Sequence, residues 1–406
     1  MVTNLGHNTV IYSIAGLAFI LRIVASYFMA DLQTPEMWEF GMIARNLLNG
    51  EGFTFEALTK NVPSAFMPPG LPYIYYIVFY LIGDNSTGYF FILLLNSVLA
   101  STTVVLLYML TSIYFNRTIA IITAFFTAIS PVYIYSATSF NSIVIYQFLL
   151  ILSLLLFSKL FNQSNTYAGG ANRVSMKYTI LLGFVSGIFL FFRAESLVFI
   201  LFITFYLLKN KFVSRSVVYF FICVIMISPW TIRNYITFGK LIPVSTSFGY
   251  NFYTGHGDEA STEIYKQKLS LIEEDKNFEI MKSNIALETA FDYIKNNPVS
   301  EVKESVRKVF SLWVFDLYRQ SSRNPVYLIM WLPVLFFFTI GTFRLFQNRK
   351  KYIILKPVYY YLVFSTLLVI VFFNIPRYQV QMSIVLVPIA VFGLLNLKHK
   401  MKDKIT

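Results

Sequence analysis

Apolar residues along this 406-residue chain come in runs of fifteen to twenty or so, separated by short polar stretches. Runs of that length match the thickness of a bilayer core, about 30 Å or roughly 20 helical residues. They fall at residues 9–30, 88–110, 118–137, 141–159, 177–192, 195–209, 214–230, 325–345, 357–373 and 380–397. A membrane β-barrel would show short alternating segments instead. The expected fold class is therefore all-α: a polytopic transmembrane helical bundle of about ten spans, with juxtamembrane helices in the first outer loop and a small helical outer cap.

Composition agrees, since 56% of residues are hydrophobic, only 13% are charged and mean hydropathy is +0.61. A net charge of +13 raises the question of nucleic acid. The basic residues answer it by sitting in short loops. With the N-terminus inside, the cytoplasmic connections hold Arg117, then Arg173 and Lys177, then Lys209, Lys211 and Arg215, and two richer clusters, Arg344–Lys356 and Lys398–Lys404. This is the positive-inside pattern, so no nucleic-acid partner is expected. The protein is expected to be multi-pass in the cell membrane, with both termini cytoplasmic. The first run, Val10 to Met29, has no preceding Lys or Arg and no small-x-small cleavage site after it, so it reads as a retained span. The single cysteine, Cys223, lies within an apolar run and forms no intrachain disulfide.

This topology places two long loops outside, 31–87 and 231–324, and divides the chain into a membrane module with its first outer loop (1–230), an outer helical cap (231–324) and C-terminal spans with a basic tail (325–406). In the first loop, Met42 to Leu48 reads as a short helix. Leu71 to Ile82 is apolar but short, and counting it as a span would put Arg117 outside, so it reads as a juxtamembrane helix. In the second loop Val302, Val306, Val309, Phe310 and Trp313 form the stripe of an amphipathic helix starting at Asn297-Pro298, and Ile280, Leu287, Phe291 and Ile294 have similar spacing. Together they predict a cap lying on the membrane surface. Asn162 to Asn172 is a polar linker, and no internal repeat is visible.

The unusual polar and turn-forming clusters all fall on the outer side: Glu36–Phe53, Ala65–Pro72, Phe140-Asn141, Arg193-Ala194-Glu195, Pro229–Asn234, Phe248–His256 and Pro376-Arg377-Tyr378. One shared site is the expectation, although outer loops are polar in any membrane protein. Glu36 and Glu39, three residues apart beside Trp38 and Phe40, would share one side of a helical turn. A carboxylate partly desolvated by aromatic rings suits a general base; the plainer reading is a solvated loop carboxylate. Arg193 and Arg377 lie at the ends of apolar runs, where snorkelling is common and where either could instead clamp a phosphate. Glu195 would orient or neutralise Arg193. Arg22, inside the first span, needs a polar cavity or the interface. Pro68-Pro69-Gly70 with Pro72 reads as a stiff turn opening the juxtamembrane helix. His256 has no clear second histidine ligand near it, which leaves a divalent metal open and no cofactor certain.

The stretch Pro35-Glu36-Met37-Trp38-Glu39-Phe40, through Ala44-Arg45-Asn46-Leu47 to Gly50-Glu51-Gly52-Phe53, resembles the first outer loop of the bacterial GT-C membrane glycosyltransferases. These are related to protein O-mannosyltransferases (glycosyltransferase family 39) and lipid A aminoarabinose transferases. Pro68-Pro69-Gly70-Leu71-Pro72, Pro229-Trp230-Thr231-Ile232-Arg233-Asn234-Tyr235, Gly249-Tyr250-Asn251-Phe252-Tyr253 and Pro376-Arg377-Tyr378 follow in the order of that family. The resemblance covers most of the chain. It implies an inverting glycosyltransferase that moves a sugar from a polyprenyl-phosphate donor to a lipid, glycan or protein acceptor at the outer face of the bilayer. In that reading Glu36, or Glu39, is the catalytic base; Arg193, Arg377 and Arg22 bind the donor phosphate; and Arg45, Asn141, Glu195, Arg233, Asn234, Tyr250, Asn251 and Tyr378 contact substrate. Two departures stand out: the family usually has Asp where this chain has Glu36, and often an acidic residue where it has Asn141. A lipid-linked sugar flippase, which would need charged residues in mid-span, and a polysaccharide polymerase or ligase are the alternatives.

Overall fold

The computed structural model describes residues 2–56, 61–162, 174–316 and 319–402, most of which are helical. The first predicted span lies within α1 (Val2–Met29). The following loop folds into α2 (Trp38–Leu48), a hairpin of β1 (Thr54–Glu56) and β2 (Asn61–Pro63), and α3 (Gly70–Leu81). Both helices sit where the pattern predicts them. The hairpin, with Phe55 opposite Val62, was not expected, because three-residue strands carry too little alternation to register.

Next comes α4 (Ser86–Tyr114), whose Asn85 side chain accepts from the Thr87 and Gly88 N–H groups at the helix start. The predicted span 118–137 is two helices, α5 (Arg117–Ile129) and α6 (Pro131–Ala137), bent by 55° where Ser130 precedes Pro131. Proline drives its predecessor out of the α region, and Ser130 is extended at ψ 123°. Helices α7 (Ile143–Asn162), α8 (Met176–Leu190), α9 (Ser196–Lys209) and α10 (Val213–Phe238) follow. Apart from Asn162, the polar linker Asn162–Asn172 lies outside the described residues.

One boundary changes. The second outer loop was expected to begin after Trp230, yet α10 continues through Pro229 and Trp230 to Phe238. Proline leaves the carbonyl four residues back without its usual donor. Here the hydroxyl of Ser228 donates to that carbonyl, Ile225 O, at 2.8 Å. The helix ends instead at Gly239, which takes the left-handed conformation (φ 66°).

The cap is formed by α11 (Phe248–Gly255), α12 (Glu259–Leu269), α13 (Phe278–Asn296) and α14 (Pro298–Trp313). The chain closes with α15 (Pro325–Gln347), α16 (Arg349–Val371) and α17 (Pro376–Lys402). Among the described residues, six helices are long and apolar enough to cross a bilayer: α1, α4, α7, α10, α15 and α17. The bent pair α5/α6 makes a seventh, and α8, α9 and Leu355–Val371 of α16 are apolar but shorter. The protein is a multi-pass membrane protein. α17 runs through its centre, with Val380–Phe392 buried throughout, and meets α15 where Gly393 faces Gly341 backbone to backbone.

Candidate active site

The polar clusters gather at one end of the bundle, and backbone carbonyls do most of the joining. Arg233, near the end of α10, donates to Ser64 O (2.6 Å) and Phe53 O (3.0 Å), with its guanidinium over the rings of Phe53, Trp230 and Phe238. On the same helix Trp230 Nε1 donates to Val244 O (2.7 Å) and Asn234 Nδ2 to Ile242 O (2.9 Å). The Gly70 N–H, opening α3, donates to Phe191 O (2.6 Å), and a Cβ there would strike the Phe192 ring, so only glycine permits this approach. The first loop, the α10 exit and the turn before Arg193 thus form one unit.

The cap is fastened to that unit by Glu279 of α13. Its carboxylate accepts from the Ala65 N–H (2.8 Å) and the Thr246 hydroxyl (2.9 Å), while Thr246 N–H donates to Ala65 O. Burial pushes its pKa up from the ordinary carboxylate value, against the pull of Ser64, Ala65 and Thr246. A second fastening joins α11 and α14 to the end of α16. His256 Nε2 donates to Val371 O (2.8 Å), its Nδ1 lies 2.8 Å from Glu301 Oε1, and Lys308 Nζ donates to Ile370 O (3.2 Å). Cations at the last carbonyls of a helix offset its partial negative charge.

Between these fastenings is a cavity of about 520 Å³. Its walls are mainly apolar: Leu197 and Val198 of α9, Leu368 and Val369 of α16, Leu312, and Phe248 of the cap. Tyr146, Glu195, Tyr361, Tyr378 and Gln381 supply polar groups, with Asn251 and Ser247 from the cap side. Arg193 lies directly behind this polar end. It is 9% exposed, donates from Nε to Glu195 Oε1 (2.7 Å) and from Nη1 to Ser142 (2.9 Å), and its guanidinium stands 5.5 Å from the Tyr146 ring centre and 5.6 Å from that of Tyr378. A pocket with apolar walls and a few converging polar groups is the usual form of a small-molecule or lipid site.

The first-loop carboxylates precede and begin α2. Glu36 is exposed and makes no hydrogen bond or ion pair among the described residues. Glu39 is half-buried and faces Lys282 of α13 electrostatically; burial lowers the pKa of that lysine, partly countered by Glu279 and Glu39. Lys282 Nζ in turn stands 5.0 Å from the Tyr250 ring centre and 5.6 Å from that of Phe66. Trp38, between the two glutamates, is held at φ 52°, a left-handed backbone costly for an aromatic residue. Such a residue at the mouth of a loop aims its neighbours in directions an ordinary helix start would not.

Other predicted residues hold the scaffold. Arg22, 1% exposed, donates to the carbonyls of Ala18 (2.9 Å), Ala128 (3.0 Å) and Thr127 (3.2 Å), tying α1 to the end of α5 and away from the cavity lining. Arg45 pairs with Asp84 at 2.8 Å, clamping α2 to the turn before α4. Asn141 Oδ1 accepts the Ile143 N–H (2.9 Å), starting α7. Arg233 and Asn234 make the backbone bonds already described. Arg377 is exposed, its guanidinium 5.8 Å from the ring centre of cavity-lining Tyr378. Among the described residues no group of three or more His, Cys, Asp or Glu is arranged to hold a metal ion. Reading the sequence missed Glu279, Lys282 and the membrane-buried Tyr146, Tyr361 and Gln381. The last three had a signal, polar groups inside apolar spans.

Residues 67–232 match the family model described as dolichyl-phosphate-mannose-protein mannosyltransferase. The whole bundle superposes on AglB, an archaeal oligosaccharyltransferase from Archaeoglobus fulgidus solved with an inhibitory peptide and a dolichol-phosphate. The TM-score is 0.62 at 16% identity, over 98% of this chain and 51% of that one. The chain has the fold of the GT-C membrane glycosyltransferases. A second structure of the Archaeoglobus fulgidus oligosaccharyltransferase, tethered to an acceptor peptide, gives a TM-score of 0.60 at 13% identity over 97% of this chain and 50% of that one. The chain therefore spans about half the length of those enzymes. A looser overlay, TM-score 0.43 at 10% identity over 95% of this chain and 78% of the other, is with ArnT from Cupriavidus metallidurans bound to undecaprenyl phosphate. No curated protein matches the chain in a sequence search.

Proposed function

We propose that this protein is an inverting glycosyltransferase that takes a sugar from a polyprenyl-phosphate donor and passes it to a lipid, glycan or protein acceptor at the outer face of the cell membrane. The observation that carries the reading is the cavity: apolar walls from α9 and α16 at membrane depth, ending against the Arg193–Glu195 pair and two tyrosines. An isoprenoid chain matches the walls, and a phosphate matches the cationic end. The basic connections support the orientation, because they lie at the opposite end of the bundle from this site under the positive-inside rule.

The chemistry needs little more than the site offers. A polyprenyl phosphate departs as an anion and needs no proton, so one base and cationic stabilisation suffice, unlike a glycosidase, which needs an acid and a base. Glu36 would take the proton from the acceptor hydroxyl or amine as its oxygen or nitrogen attacks the anomeric carbon. The C–O bond to the phosphate breaks on the opposite face, and Arg193 stabilises the charge that collects there. Arg377, exposed next to cavity-lining Tyr378, would guide the phosphate in. Glu39, restrained by Lys282, would hold the loop in position.

The decisive measurement is sugar transfer by the purified protein in detergent, where a flippase would form no product. Glu36→Gln should lower kcat by about 10²–10⁴ while the melting temperature and the affinity for polyprenyl phosphate stay at wild-type values. Full activity in Glu36→Gln together with loss in Glu39→Gln would move the base to Glu39.

A further inference from the structure

Helix α14 is built with its faces reversed. The sequence predicts an amphipathic helix in a cap lying on the membrane surface, and Val299, Val302, Val306 and Phe310 are indeed 68%, 66%, 65% and 40% exposed. The face turned into the protein holds Lys308, Ser311 and Leu312, all buried. These four apolar residues recur at i, i+3, i+7 and i+11, a single line along one side of the helix. A helix in water would bury that line and expose its lysine.

The neighbouring helix shows what faces this line. On α16, an apolar helix, Tyr360, Val363 and Leu367 are 41%, 58% and 53% exposed at the same i, i+3, i+7 spacing. In a multi-pass membrane protein an exposed apolar line of this kind is the side that meets lipid. The last turns of α14 run antiparallel beside the end of α16: Lys308 reaches Ile370 O, and Trp313 Nε1 donates to Thr366 Oγ1 at 3.1 Å. The exposed line of α14 thus continues from the exposed apolar side of α16. Helical rotation of 100° per residue sets Lys303 and Arg307 along one edge of it. Apolar residues with cations along one edge are the pattern of a helix lying in the bilayer interface, with acyl chains under the stripe and lipid phosphates beside the cations.

We infer that α14 is a tilted membrane anchor for the cap, entering the bilayer interface with its C-terminal turns deepest and its Val299–Phe310 stripe covered by lipid. Depth should increase from Val302 to Phe310, since the C-terminal end is the one beside α16. The anchor has a consequence for the cavity. Glu301 and Lys308, on the opposite face of the same helix, hold His256 and the end of α16, so the bilayer helps fix the cap wall formed by α11.

Single cysteines at Val302, Val306 and Phe310 test this in nanodiscs. The native Cys223 is buried, 2% exposed, and stays in place, with the unsubstituted protein as the labelling blank. Each site is labelled with a small fluorophore and quenched in turn by nitroxide-bearing lipids and by aqueous iodide. Val363→Cys is the lipid-facing control and Glu259→Cys the water-facing one. The inference expects quenching by lipid nitroxide as strong as at Val363, increasing from Val302 to Phe310, with protection from iodide. Iodide quenching as strong as at Glu259 would overturn it, leaving a water-exposed stripe. Protection from both quenchers would also overturn it, since a protein partner would then cover the stripe. Three independent positions, each checked for a wild-type melting temperature, keep the result from depending on one variant.

Discussion

Adding one methyl group at Gly255 tests whether the cap is fixed to the membrane bundle at the cavity edge. Gly255 ends α11, and a Cβ there would overlap the Phe372 carbonyl oxygen and stand 2.5 Å from its carbon, with Lys308 Nζ 3.3 Å away. Carbon atoms make contact at about 3.5–4.0 Å, so the two segments must part by roughly 1 Å. The adjoining bonds, His256 Nε2 to Val371 O at 2.8 Å and Lys308 Nζ to Ile370 O at 3.2 Å, have no such slack. Overpacking costs about 1–3 kcal/mol and each of the two bonds broken another 1–3 kcal/mol, so Gly255→Ala should lose roughly 3–9 kcal/mol. Phe248 and Asn251 of α11 face Val371, Phe372 and Phe373 across the cavity, so the same movement widens it. Affinity for a polyprenyl-phosphate probe should fall at least about tenfold, or 1.4 kcal/mol. Thermal unfolding in detergent and probe titration read the two effects. Gly16→Ala is the control, because a Cβ there meets nothing within 4 Å. If Gly255→Ala melts and binds as the wild type does, the cap is not fixed at this point and the cavity wall is not set by it.

Arg193→Lys keeps a positive charge but loses the forked geometry that reaches Glu195 and Ser142, so probe affinity should fall about tenfold with the fold intact; unchanged affinity would remove Arg193 from the phosphate site. Arg22→Met should reduce thermal stability by removing three bonds to the carbonyls of Ala18, Thr127 and Ala128, yet leave probe affinity unchanged; weaker binding would return Arg22 to the donor site. Glu279 has a folded-state pKa raised above its ordinary 4.5, so it favours folding most below that value, and the contribution is lost as pH rises through the raised one. Glu279→Gln cannot titrate, so proteolysis of the cap should lose that part of its pH dependence; an unaltered profile would show that another group is responsible.

Run length and loop charge were enough, read from the sequence, to give a helical membrane bundle, ten apolar segments and a cap. Crossing hydrocarbon requires long apolar helices whatever their neighbours are, so this information is local. Helices α2 and α3 were likewise legible from short-range pattern. The order of the loop motifs pointed to the GT-C fold, which the superposition on AglB bears out at the level of the fold.

The tertiary structure decided which polar residues meet. Arg22, Arg45, Arg233 and Asn234 look as suited to a substrate as Arg193 does when read in isolation. The three arginines each bind a carbonyl or carboxylate distant in the chain, as Arg233 does with Ser64 and Phe53, while Asn234 binds the nearby Ile242 carbonyl. Only Arg193 among them backs onto the cavity, held there by Glu195 and Ser142 between the rings of Tyr146 and Tyr378. Glu279 carried no sequence signal, since its partners are a backbone N–H more than two hundred residues away and a threonine hydroxyl. The α14 stripe shows the same division. Its periodicity was plain in the sequence, but which face it turns outward is decided by the contacts of Lys308 and Trp313 with the end of α16.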